Sequence, residues 1–183
     1  KRNILVTFHP VTLEKSTAEI QFQELLNSID KLKDTNIIFT KSNSDQGGRI
    51  INKMIDKFVS LRVNCISFDS MGQVRYLSAL REVDAVIGNS SSGLMEAPSF
   101  GIGTINIGDR QKGRINLESI INCDPLEKSI NDAFHILYSD KFQNKLKNIQ
   151  NPYGDGDASG KIKKIIKNFD FANILKKSFY DLK

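Results

Sequence analysis

The stretch 85-AVIGNSSSGLMEAPSFGIGTINIGDR-110 places two short apolar runs on either side of a serine-rich segment. The runs at 85–88 and 104–107 are continuous, which is typical of strands that are covered on both faces of a parallel sheet. Residues 92–100 between them have helical spacing. A strand, a helix and a second strand in this order indicate the repeating unit of an α/β protein.

The same alternation extends along most of the chain in both directions. It predicts an α/β fold with a doubly wound, Rossmann-like parallel sheet and helices on both faces. The predicted strands are 4–8, 36–40, 63–68, 85–88, 104–107 and a weaker 119–122. The predicted helices lie near 15–33, 46–59, 71–82, 92–100 and 126–137, and the sequence beyond 125 predicts further helices interrupted by 151-NPYGDGDAS-159.

Helix-capping residues support these positions. Polar residues that cap helix N-termini stand before four of the predicted helices, and a proline favours the first turn of the last. They are Ser44 and Asp45 for the second helix, Ser70 for the third, residues 89–92 for the fourth and Asp124-Pro125 for the fifth.

Composition and cysteine usage narrow the class of protein. The chain has 183 residues, of which 39% are hydrophobic and 26% charged, as expected of one globular domain. No run approaches the roughly 20 apolar residues that span a bilayer, so we expect no membrane partner. Cys65 and Cys123 lie in the apolar runs VNCISF and SIINC, which favours buried free thiols and a cytoplasmic location.

The charge pattern weakly favours an anionic ligand. The 26 basic and 21 acidic residues give a net charge of +5, and much of the excess lies in the lysine-rich tail. We interpret that tail as a solvated helix face. It carries no recognition motif or interleaved aromatic residues, so we expect no nucleic-acid partner.

The unusual polar residues follow the predicted strands, at the edge where an open α/β sheet binds its ligands. The segment 89–93 combines three hydroxyls, a glycine and the start of a helix, which predicts a phosphate or diphosphate site. Glu96 on the same helix can accept hydrogen bonds from the two hydroxyls of a ribose. The alternative for Glu96 is an exposed glutamate that interacts favourably with the helix dipole.

Other ligand classes are disfavoured. No GxGxxG follows the first strand, which disfavours a nicotinamide cofactor, and no Walker A sequence is present, which disfavours P-loop chemistry. The carboxylates near the predicted edge are too dispersed to predict a metal site. They are Asp45, Asp69, Glu96 and Asp109.

At four places the sequence resembles the hydrolysing UDP-N-acetylglucosamine 2-epimerases, which are relatives of the non-hydrolysing bacterial enzymes. The similar segments are 8-FHPVT-12, 43-NSDQGGR-49, 88-GNSSSGLMEAPSFGIGTINIGDRQKGR-114 and 151-NPYGDGDAS-159. They occur in order across residues 6–165, and the longest is the most specific.

The resemblance implies a glycosyltransferase-B (GT-B) architecture, in which two Rossmann-like halves enclose the active site. This chain then corresponds to the C-terminal, UDP-binding half, with that domain at 1–165. Residues 166–183 would form a helix that crosses back to an N-terminal domain absent from this sequence. Its apolar stripe, which includes Phe171 and Phe179, would alternatively pair with a second copy in a homo-oligomer.

The resemblance also implies roles for individual residues in binding UDP and a UDP-amino sugar. Ser91 and Ser92 would hold the diphosphate with help from Ser90 and the backbone at Gly93, and Glu96 would bind the ribose. Arg110 would add positive charge beside the phosphates, where its guanidinium can donate two bonds. Arg114 also matches, without an assigned contact.

Three further positions complete the site that the resemblance implies. Asn43 would line the sugar side, whereas Phe68 and Met71 are placed beside the uracil from their position alone. His9 is the catalytic candidate, because an imidazole with an unperturbed pKa of about 6.5 can shuttle a proton. The alternative for His9 is a structural histidine fixed by the proline that follows it. His135 lies in a helical apolar pattern and is interpreted as packing.

In the family, removal of the C2 proton and departure of UDP yield an unsaturated sugar, to which water adds to give free N-acetylmannosamine. The resemblance therefore implies half of an amino-sugar, sialic-acid-type biosynthetic enzyme that acts on UDP-N-acetylglucosamine or a diacetamido analogue. The alternatives are half of a non-hydrolysing epimerase or GT-B glycosyltransferase, and a UDP-binding module that is inactive by itself.

Overall fold

The computed structural model describes residues 1–11, 17–43, 47–154 and 156–172. Their contacts divide the chain into two units, 1–152 and 153–183. In the first unit, six strands form one parallel sheet in the order β3-β2-β1-β4-β5-β6, which confirms the predicted Rossmann-like fold. The strands are β1 (Arg2–Thr7), β2 (Thr35–Thr40), β3 (Cys65–Phe68), β4 (Ala85–Gly88), β5 (Gly103–Ile107) and β6 (Ile120–Cys123).

Helices cover both faces of the sheet. The larger core packs α1, α2, α5 and α6 against one face, and a smaller core packs α3 and a 3-10 helix against the other. Because both faces are covered, β4 and β5 are buried throughout and β1 is buried from Ile4 onward, as their continuous apolar runs predict. The helices are α1 (Ala18–Asp30), α2 (Gly48–Ser60), α3 (Gly72–Glu82), α4 (Ser92–Met95), the 3-10 helix (Ala97–Phe100), α5 (Glu127–Leu137) and α6 (Asp140–Leu146).

Among the predicted elements that are shorter in the structure, two have a clear physical cause. The helix predicted at 92–100 is one α-helical turn, α4, followed by the separate 3-10 helix. Pro98 explains the break, since it lacks an N–H and its ring clashes with the carbonyl four residues earlier. The strand predicted at 63–68 begins only at Cys65, because a turn precedes it and Val63 is fully exposed.

The predicted caps of α3 and α5 can be compared with the structure. The residue at the cap position of α3 is Met71 and not Ser70, although Ser70 Oγ accepts the Gly72 N–H at 3.3 Å. Ser44 and Asp45 lie outside the described residues. The prediction for α5 is wrong: the helix begins at Glu127, beyond the proline. A carboxylate from α1 caps it instead, with Glu24 Oε2 accepting the Glu127 N–H at 2.6 Å.

The second unit contains α7 (Ala158–Asn168), which follows the predicted turn-rich segment and has no buried residue. The predicted boundary at 165/166 and the crossing of 166–183 stay predictions, and 173–183 lie outside the described residues. No described helix combines the length and the apolar character needed to cross a bilayer.

Candidate functional site

The ends of β1 and β4 meet at the topological switch point, where His9 and Asn89 join the two loops. The His9 backbone N–H donates to Asn89 Oδ1 at 2.7 Å, and Asn89 Nδ2 donates to the His9 carbonyl at 2.8 Å. Asn89 is only 1% exposed. Because these bonds are shielded from water, they hold the loop after β1 in a fixed position against the loop after β4.

The imidazole of His9 is oriented by the loop after β2. Its Nδ1 accepts the Asn43 backbone N–H at 3.3 Å and lies 3.4 Å from Ser42 Oγ. A ring nitrogen that accepts an N–H carries no proton, so this contact favours the tautomer protonated on Nε2. The structure thus brings His9 and Asn43 together, as members of one predicted site.

The loop after β5 is hydrogen-bonded to Asn89 as well. Arg110 Nη1 donates to the Asn89 carbonyl at 3.1 Å, and Gln111 Nε2 donates to that oxygen at 2.7 Å. Arg110 is exposed, whereas Gln111 is only 5% exposed. Sequence reasoning assigned no role to Gln111, since a glutamine in a polar loop carries no signal that its amide will be buried.

Gly88 allows the ends of β1 and β4 to come this close. Its φ is +132°, and a Cβ at this position would lie 2.0 Å from the carbonyl oxygen of Thr7. No side chain fits such a separation, so glycine is required here by both backbone conformation and contact.

The serine loop, residues 89–93, leads from β4 into α4. Ser90 Oγ accepts the Ser92 N–H at 3.4 Å, and the Ser91 carbonyl accepts the Met95 N–H at 2.9 Å. All three serines are half-buried. Because α4 is a single turn, its dipole is weak, and the hydroxyls are the stronger candidates for holding an anion.

Gly93 faces the sheet. A Cβ there would lie 2.6 Å from Thr104 Cγ2, and Thr104 Oγ1 donates to the Gly93 carbonyl at 2.7 Å. The missing side chain therefore lets α4 pack closely on β5. Its predicted contribution to ligand binding stays a prediction.

Tyr76 on α3 is a site residue that sequence reasoning missed. Its hydroxyl is hydrogen-bonded to Ser92 Oγ. Burial raises the pKa of the Tyr76 phenol above its usual value, so the phenol stays protonated at neutral pH. The helical spacing around Tyr76 indicates packing, and only the placement of α3 beside the serine loop reveals the contact.

A cavity of about 350 Å³ lies at the ends of β1, β2 and β3 and along α3. It contains three predicted site residues, His9, Met71 and Glu96. Phe68 is not among its lining residues, and its carbonyl accepts the Lys41 backbone N–H at 2.9 Å. The cavity is lined by Thr7, His9, Thr40, Lys41, Asp69, Ser70, Met71, Gly72, Gln73, Tyr76, Leu77 and Glu96.

Lys41 bridges two carboxylates at the far end of this cavity. Its Nζ lies 2.9 Å from Asp69 Oδ1 and 3.0 Å from Asp56 Oδ1. The hydrogen bond to Asp69, followed by that to Asp56, raises the pKa of the Lys41 ammonium. The sequence offers Asp69 only as one of several dispersed carboxylates, and the structure holds it in an ion pair.

The two cysteines are half-buried free thiols. Burial raises the pKa of Cys123 to about 12 and also raises that of Cys65, so neither is activated as a nucleophile. Within the described ranges, no group of three or more His, Cys, Asp or Glu side chains is placed to hold a metal ion.

The sheet order and the loops joined at its switch point define a Rossmann-like α/β domain. A solved structure described as the S. aureus MnaA–UDP co-structure has the same fold, with a TM-score of 0.73 at 18% sequence identity. The match covers 91% of this chain and 44% of that one.

A sequence model of the family described as UDP-N-acetylglucosamine 2-epimerase matches residues 1–167. The chain therefore belongs to the UDP-N-acetylglucosamine 2-epimerase family, as its sequence motifs predict.

Two curated relatives match the whole chain. A "GDP/UDP-N,N'-diacetylbacillosamine 2-epimerase (hydrolyzing)" from Campylobacter jejuni is 40% identical over 100% of this chain and 47% of its own length. A "Polysialic acid biosynthesis protein P7" from Escherichia coli is 37% identical with the same coverage. The chain thus spans about half the length of the curated relatives it matches.

Proposed function

We propose that the chain is the nucleotide-binding half of a hydrolysing 2-epimerase that acts on UDP-N-acetylglucosamine or a diacetamido analogue. The observation that carries this proposal is that His9 and Arg110 both bond to Asn89, the first residue of the serine loop, at the switch point. The names of the two relatives, one a hydrolysing 2-epimerase and one a polysialic acid biosynthesis protein, support the reaction type and an amino-sugar substrate.

In this proposal, the nucleotide lies across the ends of the strands. The hydroxyls of Ser90, Ser91 and Ser92 hold the diphosphate, and Glu96 accepts hydrogen bonds from the ribose hydroxyls. A guanidinium has five N–H donors, so Arg110 can bind a phosphate oxygen while it donates to Asn89.

The proposed reaction requires this half to stabilise the UDP leaving group. When the C2 proton is removed, the bond between C1 and the phosphate oxygen breaks, and its electron pair leaves with UDP. Water then adds to the unsaturated sugar, which releases a free 2-epimeric amino sugar. Negative charge builds on the departing diphosphate, and donors already in position stabilise it without reorganisation.

His9 is the proposed hydrogen-bond donor to this leaving group. Since Nδ1 accepts the Asn43 N–H, the ring proton lies on Nε2, and an Nε2–H can donate to a phosphate oxygen. His9 and Glu96 both line the cavity, which supports a position for His9 near the junction of nucleotide and sugar.

Catalysis requires a partner half in this proposal. An N-terminal domain would supply the carboxylates that act on the sugar, and the chain alone would bind UDP without turnover. The proposed crossing of 166–183 would join the two halves, with a homo-oligomer as the alternative partner for that segment.

Calorimetry with UDP tests the binding proposal on this chain. We expect UDP to bind, and Ser92→Ala and Arg110→Ala to weaken it by about tenfold or more, because each removes a hydrogen bond to a charged group. Lys128→Ala, on the exposed face of α5, is the matched control and should bind as the parent does. Absence of UDP binding at millimolar concentration would refute the proposal.

The enzyme extended by its N-terminal half tests the reaction. Given UDP-N-acetylglucosamine or its diacetamido analogue, it should release UDP and a free amino sugar. A product in which the epimerised sugar is still linked to UDP would instead support the non-hydrolysing alternative.

A further inference from the structure

We propose that Lys41 and Asp69 form a base-reading pair, which selects nucleotides with a keto base, uracil or guanine, over those with an amino base, cytosine or adenine. The inference rests on the proposed function, since it assumes a nucleoside diphosphate in the cavity. It assigns recognition of the base to Lys41 and Asp69, at the far end of the cavity.

The sheet order places a base at this pair. The serine loop follows β4, whereas Lys41 follows β2 and Asp69 follows β3. Since β4 and β3 are three positions apart in the sheet and neighbouring strands are about 4.8 Å apart, the edge between them spans roughly 14 Å. That length accommodates a nucleoside diphosphate, with its diphosphate at β4, its ribose at Glu96 and its base at β2 and β3.

The bonding capacity of the pair is only partly used. An ammonium has three N–H donors, and Lys41 gives two of them to Asp69 and Asp56. A third donor can bind an acceptor on the ligand. Asp69 accepts from Lys41 through Oδ1, and its side chain is 88% exposed, so its other lone pairs are open to a ligand N–H.

A donor beside an acceptor matches one class of base edge. Uracil presents the O4 acceptor next to N3–H, and guanine presents the O6 acceptor next to N1–H. Cytosine and adenine present an amino donor next to an unprotonated ring nitrogen, which reverses both positions. An amino base would therefore set its N–H against the Lys41 ammonium and its nitrogen lone pair against the Asp69 carboxylate.

Several contacts hold the pair in place for this role. The Lys41 backbone N–H donates to the Phe68 carbonyl at 2.9 Å, and Asp56 on α2 holds Nζ from the other side. The Lys41 side chain is only 22% exposed, although its charge is retained by the two carboxylates. A fixed donor distinguishes an acceptor from another donor more sharply than a mobile one does.

The test compares ligands of equal size. Calorimetry on this chain should give an affinity for UDP about tenfold or more above that for CDP, and the same order for GDP against ADP. Asp69→Asn offers the base an amide that can donate as well as accept, and it should reduce the UDP/CDP ratio by about fivefold or more. Lys41→Met should reduce both the preference for UDP over CDP and the preference for GDP over ADP.

The α5 ion pair provides matched controls. Lys128 and Asp132 form a pair of the same composition at 2.8 Å, and Lys128→Met and Asp132→Asn should leave all four affinities unchanged. Thermal unfolding checks that each variant folds, and the highly exposed Asp69 makes Asp69→Asn the informative one if Lys41→Met does not fold.

The test distinguishes failure of the base-reading pair from failure of the nucleotide site. If CDP binds within twofold of UDP, or if Asp69→Asn leaves the UDP/CDP ratio unchanged, the base-reading pair is refuted while the nucleotide site stands. If no nucleoside diphosphate binds the parent chain, the proposed function and this inference both fail.

Discussion

The phenol of Tyr76 is hydrogen-bonded to the hydroxyl of Ser92, which ties α3 to the serine loop. A phenol is a stronger donor than an aliphatic alcohol, and burial keeps this one protonated by raising its pKa. Either hydroxyl can donate in this pair, and with Tyr76 as the donor the serine proton is directed to another acceptor. In the proposed complex that acceptor is a diphosphate oxygen.

The first prediction concerns Tyr76→Phe, which removes only the hydroxyl. We expect UDP to bind about fivefold more weakly, because one hydrogen bond that orients Ser92 is lost, while binding of uridine stays unchanged. Competition calorimetry with both ligands measures the difference. Equal weakening of UDP and uridine would mean that Tyr76 acts on the cavity as a whole and not through Ser92.

Tyr138→Phe is the matched control for this variant. The Tyr138 hydroxyl is buried and has no hydrogen-bond partner among the described residues, and its ring stacks on Phe134. Its removal should leave UDP affinity unchanged, and stability should stay the same or rise slightly.

The second prediction concerns Gly88→Ala. The new methyl group would overlap the Thr7 carbonyl oxygen, and the backbone would adopt a strained φ. We expect a loss of about 3 kcal/mol or more in unfolding free energy, or failure to fold. Urea denaturation measures this loss of unfolding free energy.

Gly113→Ala separates the two causes of destabilisation, which are the overlap with Thr7 and the strained φ. Gly113 also has a positive φ, of +88°, but a methyl group added there would have no neighbouring atom within 4 Å. This variant should lose only about 1 kcal/mol. Equal losses at both glycines would show that the contact with Thr7 contributes nothing.

The third prediction concerns Asn89→Ala, which deletes both side-chain bonds to the His9 backbone. With a buried donor and acceptor left unsatisfied, we expect a loss of about 2–4 kcal/mol in unfolding free energy and weaker UDP binding. Asn144→Ala, an exposed site on α6, should change stability by less than about 0.5 kcal/mol. If Asn89→Ala were as stable as the parent, the hydrogen bonds of Asn89 would not stabilise the contact between the loops after β1 and β4.

The fourth prediction concerns pH. The hydrogen bond from Lys31 lowers the pKa of the Glu127 carboxylate and links α1 to α5. A lowered folded-state pKa stabilises the fold above the unfolded-state value of about 4.3, and this contribution is lost as pH falls through the folded-state pKa. Glu127→Gln should therefore lower the melting temperature at pH 7 but not at pH 2.

Melting curves across this range measure the effect, and Lys31→Met should follow the same pattern. A deficit in Glu127→Gln that persists undiminished at pH 2 would contradict an origin in the ion pair.

Most of the fold could be predicted from the sequence, because apolar runs and helical spacing are local patterns that survive in the folded state. The break at Pro98 was predictable in principle from the missing N–H of proline. The start of α5 was not, since its cap is Glu24, which lies 103 residues from Glu127 and reaches it only after α1 and α5 pack together.

The candidate site was predictable in part. His9 and the serine loop were predicted as site residues because they follow strands, and the carboxyl ends of parallel strands lie on one edge. Gln111 could not be identified in this way, since its burial depends on where the loop after β5 folds relative to Asn89.

The sequence by itself determined that this chain forms a parallel α/β sheet with polar residues gathered at one edge, because strand period, helix period and strand direction are encoded locally. Only the tertiary structure decided that Tyr76 meets Ser92 and that Lys41 meets Asp69. Each of these pairs joins two elements whose separation is set by strand order and helix packing. Such distances arise from the burial of the whole core and have no signature in any short segment.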